Sequence, residues 1–148
     1  MKFETIKNDV LYEDGSLRDV LIRNTTRDSY EELCNLLLRQ GIRHEILMDG
    51  KTINIFEAIA EFDKGTDRLF PFIRFYIGEI CLVCHFFEEG EIEIDFRPND
   101  IKTVSDWESI LDVLHILSSH FQQAIAIYAE NVHDRKLYEI KTQSGKGE

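Results

Sequence analysis

Cysteine is scarce in this chain, positive charge is in short supply, and long apolar runs are missing. There are 3 cysteines in 148 residues, an odd number without framework spacing, which excludes a disulfide scaffold and fits a reducing compartment. No apolar stretch reaches the length of a membrane span, and the N-terminus, MKFETIKNDV, places charges where an export signal needs an apolar core, so a cytoplasmic protein is expected. Only 17 Lys and Arg face 28 Asp and Glu, a formal charge of −11. Such a surface repels phosphate backbones and anionic lipid, so neither nucleic acid nor a membrane is an expected partner. A basic protein is, although acidity can also serve solubility alone.

Catalytic signatures are missing as well. There is no G-x-S-x-G elbow and no Gly-rich loop ahead of a helix. Asp14-Gly15, Asp49-Gly50 and Lys64-Gly65 read as turn and cap glycines, and Glu88-Glu89 as solvated acids at a turn tip. Cys81-Leu82-Val83-Cys84-His85 matches the C-x-x-C-H pattern of haem attachment. On a strand, however, residues three apart point to opposite faces, so the two thiols cannot serve one haem or one metal. His115 and His120, five apart on a helix, diverge in the same way. No metal, cofactor or enzymatic activity is expected.

What the chain does have is a 43% hydrophobic composition, enough for one globular domain over 1–142 with a flexible tail at 143–148. Its organising stretch runs from Leu69 to Arg97, LFPFIRFYIGEICLVCHFFEEGEIEIDFR. Gly78-Glu79 suits a two-residue type II′ turn and Glu88-Glu89-Gly90 a three-residue loop, which together predict three antiparallel strands. The resulting register sets Ile77 opposite Ile80, Phe75 opposite Leu82 and Ile73 opposite Cys84. Across the second turn it sets Phe86 opposite Ile92, Cys84 opposite Ile94 and Leu82 opposite Phe96, so one face is wholly apolar. The other face collects Phe72, Arg74, Tyr76, Cys81, Val83, His85, Phe87, Glu91, Glu93, Asp95 and Arg97. A one-residue slip would bury the three β-strand carboxylates at several kcal/mol, given roughly 1.5–3 kcal/mol per buried apolar side chain.

The flanking chain reads as follows. Phe3–Tyr12 and Leu17–Arg23 form a hairpin around Asp14-Gly15, its register ambiguous because both faces carry apolar residues. A helix starting with a capping box at Asp28/Glu31 or Ser29/Glu32 runs to about Gln40, with Tyr30, Leu33, Cys34, Leu37 and Leu38 on its inner stripe and Gly41 closing it. Cys34 there is an inert buried thiol. Ile42–Met48 is a strand. Asn54 and Glu57 cap a helix from Ile55 to about Asp63, with a strand over Thr52–Phe56 as the competing reading. Ser105 and Glu108 box the start of the longest helix, whose stripe is Trp107, Ile110, Leu111, Leu114, Leu117 and Phe121. Ala124–Ala129 and Leu137–Lys141 are strands. Hairpins dominate, so the expected class is α+β, a mainly antiparallel sheet with two to three helices packed on one face.

The polar-aromatic face has the composition that interface centres favour, and it singles out Phe72, Arg74, Tyr76, His85, Phe87, Glu91, Glu93 and Asp95 as partner-binding residues. Alternatively the N-terminal ribbon covers this face and its aromatics are ordinary core. His85, Glu93 and Asp95 could share an ion, but a solvated cross-strand pair explains them better.

Two stretches, Asp14-Gly15-Ser16-Leu17-Arg18-Asp19 and Cys84-His85-Phe86-Phe87 leading through Glu91–Phe96 to Arg97-Pro98-Asn99-Asp100-Ile101, resemble the small acidic immunity proteins of bacterial polymorphic toxin systems. The resemblance covers about a quarter of the chain. It implies a one-domain, cytoplasmic, non-enzymatic protein that neutralises a toxin domain by binding it, often with acidic residues against a basic active site. Two other classes stay open, a small-molecule-binding or enzymatic domain with a pocket between sheet and helices, and a homodimeric adaptor.

Overall fold

Turn and cap residues set the boundaries of most elements in the computed structural model, which describes residues 2–64, 71–86 and 89–141. In chain order these are α1 (Phe3–Asp9), β1 (Arg18–Arg23), α2 (Asp28–Arg39), β2 (His44–Met48), β3 (Lys51–Ile53), α3 (Ile55–Asp63), β4 (Phe72–Ile77), β5 (Ile80–His85), β6 (Glu91–Phe96), a 3-10 turn (Pro98–Asp100), α4 (Val104–Phe121), β7 (Ile125–Ala129) and β8 (Val132–Ile140). The fold is α+β, with the strands in one antiparallel sheet of order β3-β2-β4-β5-β6-β1-β7-β8. Among the described residues no helix is long and apolar enough to cross a membrane. Contacts divide the chain into two compact units, Arg23–Ile94 and Met1–Ile22 with Asp95–Glu148.

In the Arg23–Ile94 unit the expected meander is present. Gly78 takes φ +61°, the left-handed value that a type II′ turn demands at its first position. The β4–β5 register follows, with Ile73 opposite Cys84, Phe75 opposite Leu82 and Ile77 opposite Ile80. Burial alternates strictly along β5 and β6 and over most of β4, as a period of two requires. Cys84 therefore sits in the buried row while Cys81, opposite Tyr76, sits in the other. Phe87 and Glu88, and with them part of the second turn, lie outside the described residues.

The apolar face is closed by α2 and α3. Tyr30 stacks on Phe86 at 4.2 Å between ring centroids, and Phe62 meets both edge-on, at 5.7 Å and 6.2 Å. Leu36 is buried and Leu38 exposed, reversing the expected stripe at that point, because α2 turns its Leu33–Leu36–Leu37 side to the sheet. No side chain caps α2, which starts after Arg27. Neither proposed capping box forms, and the Ser29 hydroxyl instead accepts from the Thr26 amide. Its end is a Schellman motif, Ile42 N donating to Leu37 O and Gly41 N to Leu38 O, with Gly41 at φ +69°. The capping box of α3 is formed as expected, Asn54 and Glu57 each accepting from the other's amide. The competing strand is confined to Lys51–Ile53, which pairs with β2.

The other unit corrects the N-terminal reading. Phe3–Asp9 is a helix, and only Arg18–Arg23 of the expected hairpin is a strand. Ile6 and Val10, four residues apart, are both buried, a helical spacing that the Asp14-Gly15 turn signal concealed. That signal marks a local turn, with Asp14 accepting from the Ser16 amide at 3.0 Å. The first strand pairs with β7 instead, Arg18 opposite Ala129 and Val20 opposite Ile127. Every residue of β7 is buried, and so is all of β1 but Arg23, which erases any period-two signal. The α4 capping box lies at Thr103/Asp106 instead of Ser105/Glu108, one half-turn earlier. Trp107 on this helix packs edge-on to Tyr138 of β8 at 5.2 Å. The last strand is longer than expected, Val132–Ile140, and the tail 143–148 lies outside the described residues.

A buried arginine fastens the segment before β1. Arg18 is fully buried, its Nε donating to Val10 O at 2.6 Å, Nη2 to Tyr12 O at 2.5 Å and Nη1 to Leu17 O and Ser16 Oγ, each at 2.9 Å. Its guanidinium also lies 4.3 Å above the Tyr12 ring. Beside it, buried Asp19 accepts from the Asn131 amide at 3.0 Å and lies 2.8 Å from His133 Nε2, tying β1 to the β7–β8 turn.

Candidate functional site

The outward row of the meander is half-exposed along its length. Phe72, Arg74 and Tyr76 on β4, His85 on β5, and Glu91, Glu93 and Asp95 on β6 all have intermediate accessibility. The period of two places them there, since their neighbours Ile73, Phe75, Cys84, Ile92 and Ile94 fill the core. Phe72 lies opposite His85 in the register, with ring centroids 6.3 Å apart. Phe87, the eighth residue of the set, lies outside the described residues.

The strand pairing adds two residues that sequence reasoning missed. The second strand, β2, runs antiparallel to β4 with Glu45 opposite Arg74 and Leu47 opposite Phe72. Glu45 Oε2 accepts from Arg74 Nη2 at 2.8 Å, from Arg74 Nε at 3.1 Å and from Tyr76 Oη at 3.3 Å. The Arg74 guanidinium holds the Glu45 carboxyl below the usual carboxylate range, and Glu45 in turn raises Arg74. Arg43 completes the group, its guanidinium over the Tyr76 ring at 4.3 Å from the centroid. Arg43, His44, Glu45 and Tyr76 line a half-open surface pocket of about 350 Å³. Arg43 and Glu45 carried no detectable signal, because nothing local announces which strand β2 will join.

Charge is unevenly spread over this row. At the β2–β4 side two arginines surround one carboxylate, whereas β6 presents Glu91, Glu93 and Asp95 at alternate positions. Of these Glu91 bonds Arg23 Nη1 at 3.1 Å, a pair whose Arg is half-exposed.

The sulfur chemistry is simple. Burial, with the Glu31 charge adding to it, pushes the Cys34 thiol up to about 12, so it stays protonated and unreactive at neutral pH. Cys84 is fully buried and Cys81 half-exposed on the opposite face of β5. Comparison of the chain with protein-family models, with curated proteins and with solved structures gives no match.

Proposed function

We propose that this protein is a cytoplasmic, non-enzymatic binding protein that engages another protein through the outward row of β4, β5 and β6. The supporting observation is that this row is half-exposed and combines two aromatics, Phe72 and Tyr76, with Arg74, His85 and the β6 carboxylates. Aromatic and arginine side chains beside charged groups are the anchors that interface centres favour. The net charge of −11 favours a partner with a basic surface, steering it into place at a rate that falls with added salt. The likeness of the Asp14–Asp19 and Cys84–Ile101 stretches to immunity proteins names the class of partner, a bacterial toxin domain whose active site Glu91, Glu93 and Asp95 would occlude.

The test is calorimetric titration of the protein into the product of the gene adjacent to its own, where a cognate toxin would be encoded, at low and high salt. The Glu93→Lys/Asp95→Lys variant is expected to weaken binding by at least about tenfold, with a flatter salt dependence. Binding that the variant leaves untouched would remove β6 from the interface. No binding by the wild type would sink the toxin-neutralising reading itself.

A further inference from the structure

We propose that the cavity beside Arg43 and Glu45 binds a small zwitterion, a free α-amino acid or a molecule carrying the same adjacent carboxylate and ammonium groups. The proposal goes beyond the protein-binding reading and does not depend on it. It starts from a local reversal of charge. The chain as a whole carries −11, yet Arg43 lines this pocket beside Glu45, and that single carboxylate is already bonded by the guanidinium of Arg74.

The hydrogen bonds decide which groups are spent. Arg74 Nε, Arg74 Nη2 and Tyr76 Oη all converge on Glu45 Oε2, leaving Oε1 as an acceptor outside that set. Arg43 forms no ion pair among the described residues. Its guanidinium lies over the Tyr76 ring, 4.3 Å from the centroid, a cation–π contact that spends none of its N–H donors in a hydrogen bond. Those donors form a fork that matches a carboxylate in a bidentate pair. Because the ring already restrains the side chain, less rotamer freedom is lost when a ligand arrives.

A fork donor and a carboxylate oxygen on the same lining suit a ligand with both charges. A plain cation would meet Arg43, and a plain anion would leave the second Glu45 oxygen unmatched, whereas a dipolar head group uses both. Size agrees, since about 350 Å³ lies at the small end of the roughly 300–1,000 Å³ range of ligand cavities, adequate for an amino acid.

Calorimetric titration with each of the L-amino acids tests this, pairing every responder with its amine-free and carboxylate-free analogues, as propionate and ethylamine pair with alanine. The expected result is saturable binding of at least one amino acid with Kd of about 1 mM or tighter, both analogues being about tenfold weaker. Arg43→Gln should abolish binding and Arg43→Lys weaken it, the charge remaining but the fork being lost. Glu45→Gln, which releases Arg74, should reverse the preference toward the amine-free acid. Saturable binding by no amino acid, or an amine-free acid that binds the wild type as tightly as its parent, would overturn the proposal. The analogue comparison on the wild type decides the matter even if a variant fails to fold.

Discussion

Replacing Arg18 with methionine should destabilise the protein by about 2–4 kcal/mol. The guanidinium is fully buried and donates to the carbonyl oxygens of Val10, Tyr12 and Leu17. A hydrogen bond to a charged group contributes roughly 1.5–3 kcal/mol net, and the Val10 and Tyr12 carbonyls, with no strand partner, are the two that depend on it most. Losing both would cost about 3–6 kcal/mol. Methionine keeps the aliphatic packing and removes the desolvation penalty of a buried cation, which offsets part of that cost. Against a typical total of roughly 5–15 kcal/mol, the loss is large. Urea unfolding followed by the fluorescence of Trp107, the single tryptophan, measures it within the same unit. Hydrogen exchange should show residues 3–12 losing protection first, since Arg18 is what fastens them. Arg18→Lys should fall between the two, because one ammonium cannot span carbonyls that a planar fork reaches together. If Arg18→Met were within about 0.5 kcal/mol of wild type, the carbonyls would be satisfied without the guanidinium and the clasp would be incidental.

Three further outcomes are expected. Phe86→Ala removes the ring that Tyr30 and Phe62 both contact and should cost about 3–5 kcal/mol in denaturant unfolding, with a loss near 1 kcal/mol arguing against that cluster as the core of its unit. Thr25→Val should stabilise by about 1 kcal/mol in the same assay, because the buried Thr25 hydroxyl has no hydrogen-bond partner among the described residues and a hydroxyl so placed carries an uncompensated desolvation cost. Glu45 has a folded pKa below its unfolded value, so its contribution is fully present above the ordinary carboxylate pKa and fades as pH falls through the depressed one. Glu45→Gln should therefore lose stability at neutral pH and show a shallower decline on acidification, and parallel pH–stability curves for the two proteins would contradict the Arg74 pairing.

Local chemistry made some of this fold legible and left the rest to long-range packing. The β4–β5 register follows from one glycine turn and an alternating pattern, and the α3 boundaries follow from Asn54 and Glu57. The N-terminal helix did not declare itself. Seven residues have little helical stability of their own, and burial of Ile6 by the rest of its unit decides the conformation. Thr103/Asp106 and Ser105/Glu108 both fit a capping box in the sequence, and the first, close behind the Pro98–Asp100 turn, is the one that forms. The same division runs through the candidate site. Phe72, Arg74, Tyr76 and His85 share a face because a period of two says so, whereas Arg43 and Glu45 join them through a strand pairing that links residues 29 positions apart.

The placement of the three thiols gives the molecule an internal ruler for its own unfolding. Cys81 is reachable in the native state at the outward row, whereas Cys34 and Cys84 lie in the core. A thiol-reactive dye should label one site per native molecule and three per unfolded one. The rate at which the second and third react then reports how often the core opens, and a ligand or partner seated over the outward row should slow the first by covering it and the other two by stabilising the native state.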